Sequence, residues 1–287
     1  MKLSIYKFNK FSFEIKVLNK KLFIFAFSLF IWSCSNKSNI EIRDDLGKYY
    51  HEYQVEGSFA LFNENENKFI VYNYNQFNKL FSPASTFKIC NSLIGLETGV
   101  IPDKSFVIGW DSINRNPIWD QNHTLESAFK HSVVWYYQEL AKRVGYERMK
   151  YWVDKVNYGN KNIAGGIEQF WLRGGLKISP KQQIDFLRQL YFNQLPFTKR
   201  NMNIVKELML IKDASTYQVY AKSGWGMEGD QDIGWYVGYV KSKDNVYFFS
   251  NCVQIKSKYL EDENKAILFD RCRREITNLI FEQLRLK

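Results

Sequence analysis

Phe81-Ser82-Pro83-Ala84-Ser85-Thr86-Phe87-Lys88-Ile89 is the stretch that decides how this chain reads. Pro83 interrupts regular structure, and the run from Ser85 to Glu97 predicts a helix that Gly99 and Pro102 close. Residues three apart on a helix share a face, so the Lys88 amine comes within reach of the Ser85 hydroxyl. A serine hydroxyl is a poor nucleophile without a base beside it. Lysine serves as that base only where a dry pocket overcomes its ordinary pKa of about 10.4. Ser-x-x-Lys alone is common on solvated helix faces, so its meaning rests on what accompanies it.

Working outward, residues 57–62 and 68–73 predict a β-hairpin closed by a polar Asn-Glu-Asn-Glu-Asn turn. From Ser85 to Leu210 the periodicity is mostly helical, as in Trp135–Val144 and Lys181–Tyr191. Strand patterns return at 216–222, 232–241 and 245–252, and Ala266–Leu284 ends the chain as an amphipathic helix. Strands at both ends with helices between them predict one antiparallel sheet built from both termini. A helical lobe is inserted, and the active site lies at the junction.

The 287 residues, 45% apolar and 17% aromatic, suffice for one large globular domain or two small ones. The net charge of +10 is no nucleic-acid footprint, because residues 1–33 hold six lysines against one glutamate and the remaining charges are mixed in sign. Lys16, Lys20 and Lys21 precede the apolar run Leu22–Trp32, too short for a comfortable span, which reads as an export signal. Ile31-Trp32-Ser33-Cys34 resembles a bacterial lipobox, so Cys34 is expected to be lipidated, with Ser35–Asn39 as a polar tether. Cys90, Cys252 and Cys272 read as buried free thiols. His51, His123 and His131 lack metal-ligand spacing and read as structural.

Three further short motifs follow Ser-x-x-Lys in order. Ser132-Val133-Val134 supplies a second hydroxyl that could relay a proton, although an ordinary helix cap reads the same way. Tyr158-Gly159-Asn160 is a turn. Lys222-Ser223-Gly224 ends a strand-like run, where an edge strand can align a bound amide while a lysine and a hydroxyl meet a carboxylate.

In this order the four motifs resemble those of the class D, oxacillinase-type serine β-lactamases of the penicillin-binding, transpeptidase-like superfamily. The resemblance spans about residues 57 to 280 and extends to Ile94–Gly99, Asn162–Gly166, Phe170-Trp171-Leu172 and Gly234–Gly238. It implies an α+β fold of α/β/α sandwich type. Residues 1–33 would be a signal peptide, 34–52 a tether and N-terminal segment, and 53–287 the catalytic domain. Ser85 would form the acyl-enzyme, and Lys88, carrying a carbamate from carbon dioxide or bicarbonate, would be the general base. Trp171 would hold that carbamate with its indole N–H, Ser132 would pass a proton to the β-lactam nitrogen, and Val134 would keep the lysine site dry. The main-chain amides of Ser85 and Trp225 would form the oxyanion hole. Tyr158, Asn160, Lys222, Ser223, Gly224 and an arginine would contact substrate. That arginine is expected at Arg273, with Arg271 and Arg274 as alternatives. Lys-Ser-Gly departs from the commoner Lys-Thr-Gly but keeps the hydroxyl.

The implied partners are β-lactam antibiotics, with no metal, no nucleic acid, membrane contact only through lipid on Cys34, and a monomer or homodimer. The expected location is the periplasmic side of a Gram-negative envelope, lipid-anchored or else soluble. The rival reading is a penicillin-sensor domain, which shares the motifs but stays acylated. Loops near Trp110–Trp119 and Trp225–Asp232 would set the substrate spectrum.

Overall fold

The computed structural model describes residues 39–286; Cys34 and the export segment lie outside them. In chain order the elements are β1 (Ile40–Ile42), α1 (Gly47–Glu52), β2 (Glu56–Asn63), β3 (Lys68–Tyr72), α2 (Tyr74–Phe77), α3 (Lys88–Glu97), β4 (Val107–Ile108), β5 (His123–Thr124), α4 (Leu125–Lys130), α5 (Val134–Val144), α6 (Tyr146–Lys155), α7 (Pro180–Tyr191), α8 (Lys199–Leu208), β6 (Leu210–Asp213), β7 (Tyr217–Glu228), β8 (Gln231–Ser242), β9 (Val246–Lys256) and α9 (Glu263–Gln283). The main sheet runs β1-β3-β2-β9-β8-β7-β6, so strands from both ends of the chain meet where β2 pairs with β9.

Two apolar cores flank the sheet. On one face α1 and α9 bury Tyr50, Phe269, Cys272, Ile276 and Ile280, spaced on α9 at the three- and four-residue intervals that give a helix one apolar stripe. The other face meets the helical lobe, where Ile184, Leu187 and Leu190 of α7 belong to the larger core. Helix α7 starts sharply because Ser179 caps it, accepting from the Gln182 amide, and Pro180 occupies its first turn. The sandwich inferred from the resemblance is therefore present. Cys90, Cys252 and Cys272 are buried and free.

Two expectations change. Residues 40–52, expected to precede the catalytic domain, are part of it: β1 pairs in parallel with β3, and the buried Tyr50 hydroxyl donates to Asn251 Oδ1 at 2.7 Å. The strand expected to stop near Lys222 continues to Glu228, so Lys222-Ser223-Gly224 lies within β7 rather than at its end. The edge character survives for another reason: β6 pairs with β7 only between Gln218 and Tyr220.

Candidate active site

Ser85, the expected nucleophile, stands where a short 3-10 turn, Ala84–Phe87, runs into α3. Ala84 adopts a left-handed φ of 48°, a conformation that costs a non-glycine residue on the order of 1–3 kcal/mol. Its surroundings hold it there. Its amide donates to the Trp171 carbonyl at 3.0 Å, while the buried Ser82 donates its hydroxyl to the same oxygen at 3.1 Å. The Ser82 carbonyl accepts from Trp235 Nε1 at 2.8 Å, and its amide donates to Glu228 Oε2 at 3.1 Å. Ser82 and Glu228 thus serve the nucleophile, although nothing in their sequence context singled them out.

Lys88 Nζ lies 2.6 Å from Ser85 Oγ, as the three-residue spacing requires. Lys88 is fully buried, while Ser85 keeps 8% of its surface exposed. Burial, and secondarily the Lys222 charge, pushes the Lys88 amine well below its ordinary pKa. Its nitrogen sits 5.3 Å from the ring centre of Tyr137 on α5. Trp171 is fully buried, and its indole Nε1 has no hydrogen-bond partner. A buried donor left unpaired is costly, so its retention points to a group that it meets in the working protein.

Ser132 lies between α4 and α5 with φ of 55°. Docking of α5 on α3 brings it to the site: Asn91 Nδ2 donates to the Tyr137 carbonyl at 3.3 Å, and the Ser92 and Tyr137 hydroxyls are 2.9 Å apart. Lys222 Nζ donates to Ser132 Oγ at 3.0 Å and to the Ser223 carbonyl at 3.1 Å. Burial first, then Arg273 and Arg274, lowers Lys222 to about 7. A methyl group added at Gly224 would sit 3.2 Å from the Pro83 carbonyl and Thr86 amide, and at Gly226, 3.0 Å from Ala84 Cβ. Small residues there let β7 lie flat against the nucleophile turn, which brings the Trp225 main chain beside Ser85. Val133 is fully buried; the half-buried Val134 lines a 730 Å³ cavity with Leu172, Trp225 and Met227.

The arginines separate clearly. Arg273 is 4% exposed, pairs with Asp270, and keeps Nε and Nη1 without partners. Arg274 lines a 720 Å³ cavity with Lys222, Ser223 and His131, whereas Arg271 pairs with Glu275 on the exposed face of α9. The charges of Arg273 and Arg274 are the two that, after burial, lower Lys222.

Tyr158 and Asn160, expected to touch substrate, are placed elsewhere. Tyr158 packs edge-on against Phe87 at 5.3 Å and Phe186 at 5.1 Å, behind the catalytic turn. Asn160 is exposed and clamps the turn to residues 175–177, donating to the Gly175 carbonyl and accepting from the Lys177 amide. Gly159, at φ of 53°, is obligatory because a Cβ would lie 2.0 Å from the Lys177 carbonyl. Through the Phe81–Ile178 bridge this turn braces Ser85 from behind. A tripeptide alone cannot tell a brace from a contact surface.

Comparison with known proteins agrees with this geometry. The penicillin-binding protein transpeptidase domain matches residues 56–272. β-Lactamase OXA-48 of Klebsiella pneumoniae is 42% identical over 203 residues, covering 70% of this chain and 77% of its own. The crystal structure of a class D β-lactamase from Sebaldella termitidis superposes with a TM-score of 0.81 at 34% identity, over 86% of this chain and 98% of its own. The regulatory protein BlaR1 of Bacillus licheniformis is more distant, 31% identical over 76% of this chain and 36% of its own length. Motifs, site geometry and relatives converge: the chain belongs to the class D, oxacillinase-type serine β-lactamases of the penicillin-binding transpeptidase superfamily.

Proposed function

We propose that this protein hydrolyses β-lactam antibiotics through an acyl-enzyme on Ser85 and so confers resistance to them. The observation that carries the reading is the fully buried Lys88 amine 2.6 Å from the Ser85 hydroxyl, with burial pushing its pKa well below the ordinary value. Ser85 Oγ gives up its proton toward Lys88 and attacks the ring carbonyl carbon. The amides of Ser85 and Trp225 receive the developing oxyanion, a kind of contact in which one donor is worth about 3 kcal/mol. As the C–N bond breaks, the ring nitrogen takes a proton through Ser132, which Lys222 orients. Lys222 and Ser223 meet the substrate carboxylate with an arginine of α9: the partnerless nitrogens of the buried Arg273 fit that role, and Arg274 lines the cavity beside Lys222 and Ser223. Water then cleaves the ester and frees Ser85.

Lys88 fits a carbamate, because an uncharged amine can add carbon dioxide and Trp171 offers an unused buried N–H to the resulting anion. Such a carbamate would supply a stronger base near neutral pH than an ammonium. We also place the protein on the periplasmic side of a Gram-negative envelope, tethered by lipid on Cys34, a residue outside the described region. Globomycin or Cys34→Ala should release it from the membrane fraction; a soluble wild type starting at another residue would end the lipid claim.

Nitrocefin separates the two readings. Purified protein should hydrolyse it over many cycles, and its expression should raise the ampicillin concentration needed to stop growth. A single stoichiometric burst would instead make this a sensor domain. Mass spectrometry should find a penicillin adduct on wild type and none on Ser85→Ala.

A further inference from the structure

Trp225 carries two assignments on one residue. Its main-chain amide is the oxyanion donor, and its indole is the surface against which Arg273 lies, with the guanidinium carbon 5.8 Å from the ring centre. Side chains alternate along a strand. Gly224 and Gly226 face the nucleophile turn, so the Trp225 side chain goes to the opposite side of β7, toward α9. There the Phe269 ring packs edge-to-face with the indole, the ring centres 5.3 Å apart. The remaining contact is polar: Trp225 Nε1 donates to Asp232 Oδ1 at 2.6 Å.

Asp232 stands on β8 opposite Met227 and is 6% exposed. A carboxylate with so little water is expensive to keep. A short bond from a neutral donor recovers part of that cost and is directional. It fixes the indole where Phe269 and Arg273 pack against it. The carboxylate engages the ring at its N–H edge while the cationic Arg273 lies over the ring, so both contacts hold the same indole.

We propose that Asp232 is a positioning residue of this site. Its carboxylate sets the side-chain conformation of Trp225, and through Trp225 it holds the oxyanion amide and the Arg273 guanidinium in place for a β-lactam bearing a carboxylate. Asp232 also borders the 730 Å³ cavity with Val134, Leu172 and Met227; the role assigned to it acts through Trp225, and the inference rests on the acyl-transfer reading above.

The test compares acylation by benzylpenicillin and by its methyl ester, followed by mass spectrometry, in wild type, Asp232→Ala, Asp232→Asn and Trp225→Phe, and in the two Asp232 variants on the Trp225→Phe background. Asp232→Ala should slow acylation by the free acid about tenfold, the size of one charge-assisted hydrogen bond, chiefly through KM. The ester should lose less. Asp232→Asn keeps an acceptor oxygen and should restore most of the rate. On the Trp225→Phe background, which has no indole N–H, Asp232→Ala should cost nothing further. If Asp232→Ala fails to fold, Trp225→Phe alone should reproduce the tenfold loss and Asp232→Asn should stay near wild type. An undiminished Asp232→Ala, an Asp232→Asn as impaired as the alanine variant, or an equal loss without the indole overturns the proposal. A wild type that forms no adduct at all overturns the acyl-transfer reading and this inference with it, whereas a normally acylating wild type with an unaffected Asp232→Ala overturns this inference alone.

Discussion

Two buried lysines, each beside a serine, face each other across this site, and their surroundings give them different work. Lys88 Nζ lies over the Tyr137 ring and follows Phe87, which stacks on Trp171, and desolvation dominates its lowered pKa. Lys222 lies among Ser132, Arg273 and Arg274, so two like charges add to desolvation in lowering it. An aromatic wall with one spare N–H suits a neutral amine that must become a base. A cluster of cations and hydroxyls suits an arriving carboxylate. In the proposed mechanism the same Ser–Lys pairing thus serves as a proton acceptor on one wall and an anion receptor on the other.

Replacing each lysine should break this comparison most sharply. Lys88→Ala removes the base from acylation and deacylation, and turnover should fall by on the order of 10⁴. Lys222→Ala should cost about 10²-fold, expressed mainly in KM for carboxylate-bearing substrates. Equal losses with the same kcat and KM pattern would dissolve the distinction. Next in size, Trp171→Ala leaves Lys88 buried but takes away its donor, so deacylation should slow by about 10- to 100-fold and acyl-enzyme should accumulate. Intact-mass spectra during turnover show which step has slowed.

A smaller effect separates the two lysines by pH. Lys222 must be charged to receive a carboxylate, so kcat/KM should decline as pH rises through about 7 in the free protein, and Lys222→Arg should move that limb to higher pH. Stability should run the other way. Lys222 is depressed in the folded state, so between about 7 and its unfolded value the unfolded chain binds more protons and stability rises with pH. Lys222→Met should flatten that slope in urea titrations at several pH values.

The catalytic helix was legible because one spacing rule joins Ser85 to Lys88, and β2–β3 and α9 were legible because strand and helix periods declare themselves locally. What stayed hidden depends on distant partners. The three-residue β1 is a strand only because β3 lies beside it. The left-handed Ala84 and Ser132 are held by contacts from residues far along the chain, and neither residue type advertises that backbone. Tyr158 and Asn160 were assigned to substrate by resemblance, while packing against Phe87 and Lys177 makes them a brace. Glu228 acquires meaning only when the β7–β8 hairpin reaches Ser82, and Asp232 only when that hairpin folds back to bring it beside Trp225.

The central claim is that Lys88 works as a carbamate held by Trp171. Carbon-13 NMR of protein dialysed at acidic pH to remove carbon dioxide and then given ¹³C-bicarbonate at neutral pH tests it directly. A carbamate resonance should appear as activity returns, be absent from Lys88→Ala, and be weakened in Trp171→Ala. Full activity in the dialysed protein with no such resonance would contradict the account and leave Lys88 acting as a free amine.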